Sequence, residues 1–205
     1  MMEQQFQYYK REDEKWAKWL QDRLRWYKLP SKLCRQITRL PKKVWPVFRD
    51  NTDLDSGRLE ENIRHELERS HYLIVICSPE AARSPWVGKE VKYFATLHGA
   101  DKIIPFVVSG IPYSNDIETE CIHEQIKAIS QEELLAINVR EEGIGSFAMK
   151  KKRAFIRVVA RLLDIKFNTL WQPYERILRI RKWSTGIGVV FILIRFIHLV
   201  GLLPD

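Results

Sequence analysis

Apolar and polar positions along the chain change period several times, and each change marks an element. Residues 5–9 read as a short strand. From Glu12 to Tyr27 the positions Trp16, Trp19, Leu20, Leu24 and Tyr27 form one helical stripe, which Pro30 stops. Val44 to Phe48 is a short apolar run, and its internal Pro46 argues for an edge position or an early strand end. Ser56 opens a helix that turns Leu59, Ile63 and Leu67 inward. Tyr72-Leu73-Ile74-Val75-Ile76-Cys77 has no alternation, so both of its faces are expected to be buried, as in a central parallel strand. Ser78-Pro79-Glu80 begins a turn or short helix, and another helix runs from Ser84 to about His98. Ile103 to Val108 is a second buried strand, Ser109 to Glu120 a loop, and Leu134 to Val139 the last strand. Phe155, Val158, Val159, Leu162 and Leu163 then follow core helical spacing. This order predicts an α/β fold, with a central parallel sheet of about five strands, helices on both faces and ligands at the carboxyl ends of the strands.

Composition changes the picture at the C-terminal end. The 205 residues carry a net charge of +8. Residues 1–149 hold 22 Lys and Arg against 23 Asp and Glu, whereas residues 150–182 hold 11 against 2. Basicity confined to one segment before an apolar tail suits an anionic membrane surface better than nucleic acid. The tail is apolar for about 17 residues from Gly186, or about 21 from Trp183, the length of a membrane span. Arg195 in its middle costs roughly 3 kcal/mol on insertion, which a dozen or so Leu, Ile, Val and Phe residues can offset. The competing reading is an amphipathic helix that lies on the domain, a partner or the membrane surface. Residues 1–165 are therefore expected to form one domain, 166–182 a basic juxtamembrane linker or helix, and 183–205 a transmembrane or membrane-associated tail. Arg179, Arg181 and Lys182 before that tail keep the domain on the cytoplasmic face of the cell membrane. Cys34, Cys77 and Cys121 are odd in number and match no zinc spacing, so neither a disulfide framework nor a metal site is read from them.

Few groups offer chemistry. The acidic run Asp50-Asn51-Thr52-Asp53-Leu54-Asp55-Ser56-Gly57 departs from a calcium loop, with its glycine at 57 and Asn62 at the closing position. No Gly-rich fingerprint precedes a helix, which argues against a Rossmann or P-loop nucleotide site, and the five histidines form no set with a serine and an acid. What remains is Ser84-Pro85-Trp86-Val87-Gly88-Lys89-Glu90. Ser84 suits a cap, Pro85 the first helical position, and Trp86 and Glu90 stand at i and i+4 on one face. A flat ring beside an anion suits a cationic aromatic heterocycle attached to a sugar. The ordinary reading is a half-buried tryptophan beside a solvated glutamate.

Phe6-Gln7-Tyr8-Tyr9-Lys10-Arg11-Glu12-Asp13 resembles the opening strand and loop of Toll/interleukin-1 receptor (TIR) domains. Pro46-Val47-Phe48-Arg49-Asp50 with the loop to Gly57 resembles their second strand and BB loop, and Ile74-Val75-Ile76-Cys77-Ser78-Pro79 their central strand. Ser84 to Glu90 matches their Ser-x-Trp-x-x-x-Glu element. One departure is the pair Tyr8-Tyr9, where the family's first strand usually ends Ser-Tyr.

The resemblance is closest to bacterial TIR proteins of the NAD-cleaving type, and it implies the flavodoxin-like TIR fold. It also implies an NAD+ glycohydrolase that gives nicotinamide and ADP-ribose or a cyclic or variant ADP-ribose signal in antiphage defence. Glu90 would be the catalytic carboxylate and Trp86 would shape the nicotinamide side, with Ser84, Arg11, Phe48, Arg49, Asp50 and Asp53 binding substrate. No cofactor or metal is implied, since NAD+ is the substrate. The partners implied are other copies through TIR self-association, the membrane through the tail, and a separate effector that responds to a nucleotide product, but not nucleic acid. The alternative from another class is a non-enzymatic TIR adaptor or scaffold.

Overall fold

The central strand sets the architecture because almost every side chain on it is buried. The computed structural model describes residues 4–8, 13–37, 44, 47–49, 56–129, 136–140 and 145–172. Five strands, β1 (Gln4–Tyr8), β2 (Val47–Arg49), β3 (Ser70–Cys77), β4 (Ile103–Val107) and β5 (Ile137–Asn138), form a parallel sheet in the order β2-β1-β3-β4-β5. Seven helices appear among the described residues of this sheet domain: α1 (Glu14–Trp26), α2 (Ser31–Gln36), α3 (Ser56–Arg69), α4 (Pro79–Ala82), α5 (Pro85–His98), α6 (Glu124–Ile129) and α7 (Phe147–Leu162).

Strand side chains alternate between the two faces. Leu73, Val75, Cys77, Ile103 and Val107 join Ile63 and Leu67 of α3 and Val87, Val91 and Phe94 of α5 in one apolar cluster. Phe106 points the other way, where Trp19 of α1 stacks with it at 6.5 Å and meets Phe155 of α7 at 6.2 Å. The chain runs outward from β1 to β2, returns past β1 to β3, and continues to β5. Its direction therefore reverses between β1 and β3, and the crevice outside their carboxyl ends is where such sheets bind ligands.

Several elements differ from the sequence reading. The β3 strand begins at Ser70, two residues before its apolar run, because pairing with β1 starts at Gln4↔Ser70. The short helices α2 and α6 were not anticipated, since six residues are too few to show a helical period. The described part of β5 is only Ile137–Asn138, while residues 130–135 lie outside the described residues. Leu163 caps α7 and is only partly buried, unlike Val158, Val159 and Leu162.

The chain divides into two units, Met1–Ile165 and Lys166–Asp205. In the second, residues 167–172 are helical, and the Phe167 and Trp171 rings stack at 5.7 Å. The apolar tail expected at 183–205 lies outside the described residues, and no described helix is long and apolar enough to cross a membrane. The basic segment is in part a structural feature. Its Lys151 lies in α7 with Nζ 4.4 Å from the Trp16 ring centroid and 4.1 Å from that of Trp19. Burial, then the Arg23 charge, lowers the Lys151 pKa from its ordinary value.

Candidate active site

Two serines govern the connection from β3 to α5. Ser78 follows the carboxyl end of β3 and accepts the Ala81 N–H at 3.1 Å, which caps α4. The same hydroxyl donates to Asp13 Oδ2 at 2.5 Å, and both residues are buried. This bond joins the start of α1, the helix after β1, to the carboxyl end of β3. Sequence reading did not foresee the pair, although Ser-Pro before a short helix is a capping signal and Asp13 opens α1.

Ser84 stands at the N-cap of α5, but its side chain makes no capping hydrogen bond; its carbonyl accepts the Gly88 N–H at 3.5 Å. Pro85 occupies the first turn, where a missing N–H costs nothing. Gly99, with φ of 90°, ends the helix by sending its N–H back to the Ala95 carbonyl at 2.9 Å.

Trp86, Glu90 and Tyr93 follow one another along one flank of α5. That flank faces α3: the Tyr93 hydroxyl donates to Glu68 Oε1 at 2.6 Å, the Arg64 guanidinium lies 5.7 Å from the Tyr93 ring centroid, and His98 Nε2 is 3.1 Å from the Leu67 carbonyl. Glu68 raises the Tyr93 pKa by accepting its hydroxyl proton. Trp86 is 50% exposed and Glu90 only 9%. Glu90 Oε2 is shut off from water altogether. The glutamate of the ordinary sequence reading was solvated, and this one is not. Lys89 Nζ lies 4.5 Å from the Trp86 ring centroid, so one face of the ring already carries a cation.

The remaining sequence candidates are placed to different degrees. Phe48 and Arg49 lie on the edge strand β2, in register with Phe6 and Gln7 of β1. Arg11, Asp50 and Asp53 lie outside the described residues. In the sequence Asp50 and Asp53 stand between β2 and α3.

A cleft of about 710 Å³ opens on the opposite flank of α5, lined among others by Arg83, Lys89, Lys92, His123 and Lys127. It contains neither Trp86 nor Glu90. Two of its cations are already matched by carboxylates, Arg83 by Glu118 at 3.6 Å and Lys127 by Glu120. The buried carboxylate of Glu90 is therefore the stronger chemical candidate. Among the described residues no cluster of three His, Cys, Asp or Glu is placed to hold a metal ion, and the acidic run 50–55 lies outside them.

Comparison with known proteins identifies the family. The family model described as "TIR domain" matches residues 6–142. Over 65 residues the chain is 42% identical to the protein named NAD(+) hydrolase ApTIR from Actinoplanes sp.. That match covers 31% of this chain and 9% of the relative, so the chain spans under a tenth of the relative's length.

Proposed function

Because the chain belongs to the TIR domain family, we propose that it is an NAD+ glycohydrolase in which Glu90 stabilises the ribose as its bond to nicotinamide breaks. The observation that carries this reading is the buried Glu90 carboxylate one helical turn from a half-exposed tryptophan, on the helix that follows the central strand. The named activity of the Actinoplanes relative supports it.

Nicotinamide in NAD+ is already a cationic leaving group. When the C–N bond breaks, its electron pair returns to the pyridine nitrogen and nicotinamide departs neutral, without a general acid. The ribose is left with oxocarbenium character, and a nearby carboxylate held away from water lowers the energy of that charge. Water then adds to the ribose carbon and releases a proton, giving ADP-ribose. Attack by adenine in place of water would give a cyclic product. Release of nicotinamide from NAD+ by purified protein, lost in Glu90→Gln, tests the reading.

Trp86 is the proposed seat for the nicotinamide ring. Lys89 already sits against it, so the ring offers its other face to substrate. Trp86→Ala is expected to raise KM for NAD+ about ten-fold and to change kcat less, since stacking of a cationic ring is worth roughly 1–2 kcal/mol. Trp86→Phe should recover most of that affinity in steady-state kinetics.

Arg11, Phe48, Arg49, Asp50, Asp53 and Ser84 are proposed to complete the substrate side. Assembly of several copies, tethering at the cytoplasmic face of the membrane through residues 183–205, a nucleotide product read by a separate effector, and a role in antiphage defence extend the same proposal. A tether would raise the local concentration for assembly. Removing residues 183–205 should then lower specific activity in membranes more than in detergent, measured as NAD+ consumption per mole of protein.

A further inference from the structure

We propose that His123 is a positioning residue for Glu90: its neutral ring fastens the first turn of α5 to the segment that leads into α6, and its protonation loosens that turn. The proposal rests on the NAD+ cleavage assigned to Glu90 above. Gly88 is where the two segments meet. A Cβ on Gly88 would stand 2.6 Å from His123 Cε1 and 3.0 Å from Nε2, so the ring packs directly on the helix backbone where only glycine leaves room.

The ring is 7% exposed, and its Nδ1 accepts the Gln125 N–H at 3.0 Å. An accepting Nδ1 assigns the proton of the neutral ring to Nε2. The Ser84 carbonyl, the group that receives the Gly88 N–H and closes the first turn, acts on the ring by favouring its protonated form. His123 thus packs on the Gly88 end of the Ser84–Gly88 turn, and Glu90 begins the turn after it. A small displacement of this helix moves a catalytic carboxylate out of line, at a cost in rate far larger than the movement suggests.

Protonation puts a hydrogen on Nδ1, opposite the Gln125 N–H, where two donors face each other. Burial lowers the His123 pKa from its ordinary 6.5, against the raising effects of Glu124 and the Ser84 carbonyl. Glu120 and Lys127 on its own side, Arg83 at the end of α4, and Lys89 and Lys92 from α5 line the same cleft. Because the folded pKa lies below 6.5, the unfolded chain binds more protons between the two values. The contact is fully present above pH 6.5 and is lost as pH falls through the folded pKa.

The full chain, His123→Gln and His123→Ala would be compared for NAD+ turnover between pH 5 and 8. In parallel, hydrogen exchange would be followed over residues 86–90, relative to residues 154–160 of α7. In the wild type, kcat is expected to fall about five-fold from pH 7.5 to 5.5, with KM changing less than about two-fold. Glutamine can accept the Gln125 N–H with its oxygen, fills much of the ring's space against Gly88 and does not titrate, so His123→Gln should stay within about two-fold of wild type at pH 7.5 and lose this acid limb. His123→Ala should lower kcat about ten-fold throughout. Exchange at 86–90 should accelerate on acidification in the wild type and not in His123→Gln. An acid limb shared by wild type and His123→Gln, or wild-type exchange at 86–90 that ignores pH, overturns the proposal. If wild type shows no turnover under any condition, the NAD+ reading fails by itself and the exchange comparison decides whether His123 holds the turn.

Discussion

Glu90→Gln is expected to lower nicotinamide release from NAD+ by about a thousand-fold while leaving the domain folded. Removing a preorganised charge that faces a developing opposite charge typically costs 10²- to 10³-fold, or about 3–4 kcal/mol. The effect should fall on kcat, because the substrate ribose is neutral before the bond breaks and KM reports little of that charge. Glutamine has the same shape, and a neutral amide is easier to bury than a carboxylate at 9% exposure. The melting temperature should therefore stay the same or rise. Glu90→Asp is a sharper control: it keeps the charge but withdraws it by one methylene, and should lose about a hundred-fold in kcat. Single-turnover kinetics with a calorimetric melt would measure both properties. A Glu90→Gln protein that still released nicotinamide at the wild-type rate would leave the carboxylate with no chemical role.

The second large effect concerns stability. Ser78→Ala is expected to destabilise the fold by about 2.5–4 kcal/mol, the sum of a lost helix cap at about 1 kcal/mol and a lost hydrogen bond to a buried carboxylate at about 1.5–3 kcal/mol. The one hydroxyl performs both functions, bonding the Ala81 N–H and Asp13 Oδ2 from a position that is 0% exposed. The melting temperature should drop by roughly 5–15 °C. Ser78→Thr keeps the hydroxyl and should recover most of the loss. Asp13→Asn keeps an acceptor for Ser78 and should cost less than Ser78→Ala. Urea denaturation of the three variants would separate cap from carboxylate, since only the Ser78 change removes the cap. Equal stability of Ser78→Ala and wild type would show that the Asp13 bond contributes nothing net.

A smaller change tests how tightly α5 is seated. Gly88→Ala places a methyl against a ring carbon at 2.6 Å and is expected to cost about 1–3 kcal/mol, as overpacking does. Because the contact includes His123, paired Gly88→Ala and His123→Ala changes should be less than additive in thermal melts.

Local pattern made much of the fold legible. The central strand declared itself through an unbroken apolar run, and Ile74, Val75 and Ile76 are buried as that run requires. The stripe of α1 was legible for the same reason, although Leu20 and Leu24 are fully buried while Trp16 and Trp19 are only partly so, turned toward Lys151. Short elements such as α2 and α6 were not legible, because their existence depends on what they pack against rather than on a period of their own. For the candidate site, the spacing of Trp86 and Glu90 on a helix after β3 could be read directly. The inequality of their burial could not be read, since periodicity gives a face and not the depth of what lies over it.

By itself, then, the sequence determined the succession of the strands and the longer helices along the chain, the buried central strand, and the presence of Trp86 and Glu90 one turn apart on the helix that follows it. Those properties depend on residues close together in the chain. Tertiary structure alone decided which flank of α5 faces α3, that Gly88 receives the His123 ring, and that Ser78 bonds Asp13 at a sequence separation of 65 residues. Each of these contacts exists only because the parallel crossovers bring segments distant in sequence together, and no local spacing encodes that meeting.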